Sequence, residues 1–363
     1  MDFSLTSEQA ALADSVARFV ERDYGFEARH KLVASANGYS DAHWATFAEL
    51  GWLGAGLAED QGGFGGGAIE TALIAEQLGK GLVVEPFAST IMALQTLAAM
   101  DDFEGRAALI ESVVVGETKL VLAHPGAGAL GDLSAVSCVA QTHEDGYRLD
   151  GSIALVPGGP RADRFLISAR AGDATGLFLV EGDTTGLTRR DYRTLDNGRA
   201  SDLHLDGVSA TRLGETDAMT AIMAGIDHGL ITLCAEAVGA MEAALWMTRD
   251  YVKTRQQFGR TISEFQGVQF RMADMLVECE LARSMLYQGL AAMGTPEQSR
   301  RIAAAKAMIS EAGLFVGRQA IQLHGGIGMT EECAIGHYYK RLFVIAHLFG
   351  APDVQVGRFA ALA

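Results

Sequence analysis

Two short segments carry residue types that suit one kind of ligand. Arg255-Gln-Gln-Phe-Gly259 offers a guanidinium and two amides, and Gln322-Leu-His-Gly-Gly-Ile-Gly-Met-Thr-Glu331 offers an amide, an imidazole and a bare Gly-Gly backbone. A guanidinium can fork onto a diphosphate through parallel N–H donors. Glycines let the main chain come close to a phosphate or ribose, because no Cβ stands in the way. A plainer reading of the second segment is a helix-ending turn with left-handed glycines. Apolar, helical sequence precedes Gln322, and the glycine spacing breaks it after Gly326.

A third segment, Gly126-Ala-Gly-Ala-Leu-Gly131, fits the dinucleotide fingerprint G-x-G-x-x-G, and Asp150 lies near the expected acidic distance. That fingerprint must open a helix, yet Ser134-Ala-Val-Ser-Cys-Val139 alternates like a strand. The context therefore argues against a Rossmann unit. The sequence holds no GxSxG, HExxH or P-loop.

The elements that must position these segments change in texture along the chain. Up to residue 116 the pattern is helical. Thr6 or Ser7 can cap a helix with Leu12, Val16, Phe19 and Val20 on one face. Trp44, Phe47, Leu50, Ile69, Leu73, Ile74 and Leu78 continue that spacing around a Gly-rich turn at 62–67. From 117 to 213, short runs such as Lys119–His124, Ala135–Thr142, Phe165–Ala169, Leu177–Val180 and Asp202–Gly207 predict an antiparallel β-domain. Helical periodicity returns from 214 to 363, with a break at Gly294-Thr-Pro296. Domains at 1–116, 117–213 and 214–363 fit an α+β chain better than a doubly wound sheet.

A chain of 363 residues with 49% hydrophobic side chains can bury a sizeable core in two or three subdomains. No run of about 18 uncharged apolar residues predicts a membrane span. The start, Met-Asp-Phe-Ser-Leu-Thr, lacks the basic and apolar regions of an export signal, so a cytoplasmic protein is expected. Cys138, Cys234, Cys279 and Cys333 are scattered without a CxxC and read as reduced core thiols, not zinc ligands. The net charge of −16 argues against nucleic acid. It also opposes a polyanionic ligand, unless local cations or another subunit supply that site.

The two ligand-suited segments sit in longer stretches with a family likeness. Residues 235–260, AEAVGAMEAALWMTRDYVKTRQQFGR, and 322–341, QLHGGIGMTEECAIGHYYKR, resemble the acyl-CoA dehydrogenases. So do the opening LTSEQAALADSVARFV and residues 48–67, with Ala58 where the family has proline. Within that family the chain is most similar to the non-catalytic small subunits of heteromeric members acting on pimeloyl-CoA and steroid side chains. The resemblance implies an N-terminal helical domain, a middle β-domain and a C-terminal helical bundle. It also implies FAD, α,β-desaturation of an acyl-CoA thioester, and electron-transfer flavoprotein as a partner. In the family's dimers, the neighbouring chain holds the diphosphate and adenine of each FAD. On that pattern Arg255, Gln257, Phe258, Gln266, Gln322, His324, Gly325 and Gly326 bind the cofactor.

The likeness fails where a chain would do its own chemistry. The family's base lies just before a glycine, and here Phe349 precedes Gly350; the alternative base position on the long helix is Gly229. Beside it, Leu230 replaces a CoA-contacting arginine. Ala154 and Val156 stand where an aromatic and a threonine would meet the flavin ring, and neither can stack or donate. His124 replaces an acid, and Ala129-Leu130 replace Ser-Asp, in the segment that lines the flavin. Asp227, Glu236, His228 and His347 are the substitute bases available; structural roles compete for each. The Met- and Leu-rich stretch 264–293 suits either a bundle core or a subunit interface.

The expectation is a non-catalytic subunit that completes the flavin site of a larger, base-bearing partner. Its alternatives are a self-sufficient homo-oligomer with an unconventional base, and a flavin-free structural or regulatory homologue.

Overall fold

Thr6 starts the first helix as its sequence predicts. Its hydroxyl accepts from Gln9 N at 3.2 Å, and Gln9 Oε1 accepts from Thr6 N at 3.0 Å, so two donors at the helix end are satisfied reciprocally. The structure, a computed structural model, describes residues 4–125, 132–144 and 146–362. The leading helices are α1 (Ser7–Asp23), α2 (Phe26–Ala34), α3 (Asp41–Glu49), α4 (Ala68–Lys80), α5 (Phe87–Ala99) and α6 (Arg106–Val114). Trp44, Phe47, Ile74 and Leu78 are buried as their spacing requires. Leu50 and Ile69 depart from it at 48% and 44% exposed: one caps the C-terminal end of α3, and the other lies in the first turn of α4.

Seven strands follow: β1 (Leu120–Ala123), β2 (Cys138–His143), β3 (Gly146–Pro157), β4 (Arg164–Ala171), β5 (Ala174–Glu181), β6 (Leu187–Arg193) and β7 (Arg199–Leu213). The spatial order is β1-β4-β2-β3-β7-β5, β6 adds to β7, and β5 pairs back onto β4. That last pairing closes β4, β2, β3, β7 and β5 into a ring around Phe165, Phe178, Ile153 and Leu203. The domain is mixed, not purely antiparallel, because β1 and β2 both run parallel to β4. Local alternation marks strands but not the direction of their partners.

The remaining elements are α7 (Met219–Thr254), the hairpin strands β8 (Gln256–Gln257) and β9 (Arg260–Thr261), α8 (Gln266–Ala291), α9 (Gln298–His324), α10 (Ala334–His347) and α11 (Pro352–Ala361). The chain packs as two compact units: residues 32–71 with 84–232, and residues 1–31, 72–83 and 233–363. By length and hydropathy α7 is apolar enough to cross a membrane even with Asp227 and Glu236 in it, yet 78% of its most apolar window is buried inside the protein. Asp217 takes the start of this helix, its carboxylate accepting from Met219 N at 2.8 Å. Asp227 is therefore an interior residue, 1% exposed, and not a helix-start charge.

Small residues set the helix spacing in each unit. A Cβ on Gly225 would lie 1.9 Å from Thr96 Oγ1, so α5 and α7 meet almost backbone to backbone. In the other unit, α4 crosses α7 where a Cβ on Gly239 would meet Glu76 O at 1.9 Å. Gly317 of α9 likewise admits Tyr339 of α10. Two sets of buried or half-buried charges in the bundle are paired. Arg341 forks onto Glu236 at 2.6 and 2.7 Å, and Arg283 bridges Glu76 and Glu242 at 3.1 Å. Cys138, Cys234 and Cys279 are buried free thiols, and Cys333 is half-buried.

Candidate functional site

The hairpin after α7 presents the first ligand-suited segment. Gln257 pairs with Arg260, so Phe258 and Gly259 form a two-residue tip. Both have positive φ, +55° and +80°, as tight hairpin turns require. Glycine adopts that backbone freely; phenylalanine is strained by it. Phe258 is nonetheless held 90% exposed. Arg260 lies over the Phe265 ring at 4.1 Å. Arg255 and Gln257 are exposed, and among the described residues the Arg255 side chain has no partner. Gln266, the first residue of α8, is exposed as well.

Tyr251 joins this hairpin to the second segment. It lies one turn before Arg255, whose N–H donates to the Tyr251 carbonyl at 2.9 Å. Its ring stacks on His324 at 4.3 Å and 19°, and its hydroxyl donates to the His324 carbonyl at 3.3 Å. Sequence reasoning missed Tyr251; its place four residues before Arg255, on the same helix face, was the available signal. His324, expected at the cofactor, is packed inward. It is 7% exposed, its Nδ1 donates to the Ala320 carbonyl at 2.9 Å, and burial lowers its pKa. Its ring is a strut.

Beyond His324 the helix does not end in a left-handed turn. Gly325 has φ +68° and ψ −146°, and the chain continues as a short 3-10 turn, Gly325–Met329. Gly325 and Gly326 are exposed, and a Cβ on either would meet nothing within 4 Å. Gln322 is exposed on the last turn of α9. An unpaired guanidinium, surface amides and bare backbone facing open space are a donor set that fits the diphosphate half of a dinucleotide.

The residues expected at the reacting centre are closed or misdirected. Gly229 is buried, and a Cβ there would lie 2.2 Å from Met92 Cε and 3.1 Å from Met92 Cβ. No carboxylate fits at that position without displacing Met92, which is 2% exposed. Leu230 is fully buried. Phe349 is 6% exposed with φ +56°, and its carbonyl accepts from Gln355 Nε2 at 2.5 Å. Just before it, buried Lys306 donates to the carbonyls of Ile345 at 2.8 Å and Ala346 at 3.2 Å. The turn that would carry a base is pinned at both ends around an apolar side chain.

Ala154 and Val156 do not share a face, although alternate strand residues normally do. A register shift between Ile153 and Val156 turns the strand, leaving Ala154 exposed and Val156 in the core. Leu155, at φ +55°, donates its N–H to Asp202 Oδ1 at 3.0 Å. His124 Nε2–H donates to the Leu133 carbonyl at 2.8 Å, leaving Nδ1 to accept from Ser168 at 2.8 Å, and burial lowers its pKa. The 126–131 segment, including Ala129 and Leu130, lies outside the described residues.

The substitute bases fare no better. Glu236 is spent on Arg341. Burial pushes the His228 imidazole down to about 4, against the nearby Asp227 charge. His347 is exposed, its Nδ1 bonded to the Phe343 carbonyl at 2.8 Å.

Both ends of the chain match family models, the acyl-CoA dehydrogenase N-terminal domain over residues 6–104 and the C-terminal domain over 218–362. The steroid ACAD Tcur3481-Tcur3483, solved as a variant, is 30% identical with a TM-score of 0.89, covering 98% of this chain and 97% of that one. The ChsE4-ChsE5 complex from Mycobacterium tuberculosis is 26% identical with a TM-score of 0.90, covering 99% and 98%. PigA, solved with FAD and proline, is 28% identical with a TM-score of 0.89, again covering 99% and 98%. The helical, β and helical order, the surviving Arg255 and Gly325-Gly326 segments and these near-complete alignments agree: the chain belongs to the acyl-CoA dehydrogenase family.

Proposed function

We propose that this chain is the non-catalytic subunit of a two-chain, FAD-dependent acyl-CoA dehydrogenase, completing the flavin site of a larger, base-bearing partner. The family is one of oxidoreductases, and FAD is its cofactor. When bound, FAD supplies the hydride acceptor for desaturation. This chain's part is to bind. Arg255 forks onto the diphosphate, Gln257, Gln266 and Gln322 supply amides, and the Gly325-Gly326 backbone lets the ligand approach. Tyr251 and His324 hold the two segments together.

One contrast carries the reading. The unpaired Arg255 and strained, exposed Phe258 point outward, while Gly229 and Phe349 are sealed by packing. The outer face of α8 supports an interface too. Phe270 and Val277 are 66% and 55% exposed although Met275 and Leu286 on the same helix are buried. An apolar face of that kind is normally covered by a partner. The named complexes among the related structures support a heteromeric assembly. A bulky or dicarboxylic acyl-CoA as substrate, electron-transfer flavoprotein as acceptor and a cytoplasmic location belong to the same proposal.

Co-expression with the partner chain should yield a yellow complex with one FAD per two chains, and this chain purified alone should be colourless. Full flavin occupancy in the pure chain would instead favour a homo-oligomer with an unconventional base.

A further inference from the structure

Within the unit formed by residues 32–71 and 84–232 lies a cleft of about 360 Å³. Its wall includes Asn37, Arg161, Asp191, Tyr192, Arg193 and Arg199. Arg193 and Arg199 stand opposite each other in the antiparallel register of β6 and β7. Like charges placed that way destabilise a sheet, so an uncompensated pair requires a reason.

No carboxylate compensates them among the described residues. Arg193 donates to the Val33 carbonyl at 3.2 Å. Arg199 donates to the carbonyls of Val33 at 3.3 Å, Asn197 at 3.4 Å and Ser35 at 3.5 Å. Each guanidinium has five N–H donors, so both keep donors unspent. Arg161, by contrast, is engaged by the Tyr39 hydroxyl and by Asp41. Burial and the Arg193 charge together lower the Arg199 pKa. Gly38 makes room for the arrangement, since a Cβ there would lie 2.5 Å from Arg199 Cζ.

Both arginines touch the C-terminal end of α2 through Val33, and one cation is enough to offset a helix end. The second is left over. With Arg161 paired to Asp41, Arg193 and Arg199 against Asp191 leave the wall one positive charge in a chain whose net charge is −16. A phosphoryl group offers three acceptor oxygens to the unspent donors of the two guanidiniums, where a carboxylate offers two. Tyr192 and Asn37 line the same cleft and offer an aromatic ring and an amide to the rest of such a ligand.

We propose that this cleft binds the dianionic phosphoryl group of a small phosphorylated ligand, held between Arg193 and Arg199. The test is calorimetric titration of the full chain with inorganic phosphate, glycerol phosphate and acetate at matched ionic strength. One phosphoryl probe per chain should bind with a Kd at or below about 1 mM. Tighter binding of glycerol phosphate identifies an organic monoester as the ligand, and equal binding identifies free phosphate. Arg193→Gln, at an exposed position, should weaken binding at least about tenfold, the size of one lost charge-assisted bond. Arg199→Lys, which keeps the charge and loses the fork, should weaken it several-fold, and Arg255→Ala should leave it unchanged. No saturable phosphate binding, acetate binding equally well, or loss of binding with Arg255→Ala alone would overturn the assignment.

Discussion

The hairpin from Arg255 to Thr261 and the turn from Ile345 to Gly350 belong to the same compact unit and are built in opposite ways. Each holds a phenylalanine at positive φ, Phe258 at +55° and Phe349 at +56°. At the hairpin the strained aromatic is 90% exposed and the neighbouring guanidinium is unpaired. At the turn the aromatic is 6% exposed, and Lys306 and Gln355 occupy the surrounding carbonyls. Strain persists only where surrounding structure over-determines it. The turn is over-determined from within the chain, whereas the hairpin tip gains little from its own chain and looks outward. On the proposed function, one region is a surface kept for another molecule; the other is packed shut.

Mutations should break these regions differently. In the closed part, Gly229→Glu must displace Met92 and bury a carboxylate, costing about 3 kcal/mol or more of stability by overpacking and charge burial. Urea unfolding of the variant measures it, and a midpoint equal to wild type would mean that a base can be housed there. Arg341→Met should cost about 3 kcal/mol, because it strands Glu236 without its fork partner in a largely buried site.

The open region predicts a smaller effect of another kind. Arg255→Ala should leave the unfolding midpoint unchanged and weaken flavin retention in the assembled complex by tens-fold, equivalent to about 2–3 kcal/mol for a lost charge-assisted fork. Unchanged flavin affinity would remove Arg255 from the site.

The subtlest effect concerns the pin beneath Phe349. Burial pushes Lys306 down to about 8, against an ordinary value of 10.5. Between those values the unfolded chain binds the extra proton, so Lys306's contribution to stability rises as pH goes from about 8 to 10. The stability of wild type relative to Lys306→Met should climb across that window. A flat difference would mean that Lys306 titrates normally.

Much of this contrast was legible in the residues, and its limits have physical causes. Thr6 with Gln9, the break at Gly294-Thr-Pro296 and the inward Leu203 and Leu205 of β7 all follow local rules, and local rules are what a sequence displays. The parallel partners of β4 are non-local, so strand alternation said nothing about them. The register shift near Val156 defeats the two-residue period that would put it beside Ala154. His324 was read as cofactor-binding from its place in the family's Gly-Gly segment, and only the stacked Tyr251, 73 positions away, reveals its packing role. Gly229 was recognisable as a missing base, but the closure of its site by Met92 needed coordinates.

The most direct test of the central claim is turnover by this chain alone. The purified chain would be supplied with excess FAD, a panel of acyl-CoA thioesters and a dye acceptor, beside the co-expressed complex. With no general base available, its rate should fall about 100- to 10,000-fold below that of the complex. Sustained turnover above about 1 per second, within the range of ordinary enzymes, would contradict the non-catalytic assignment.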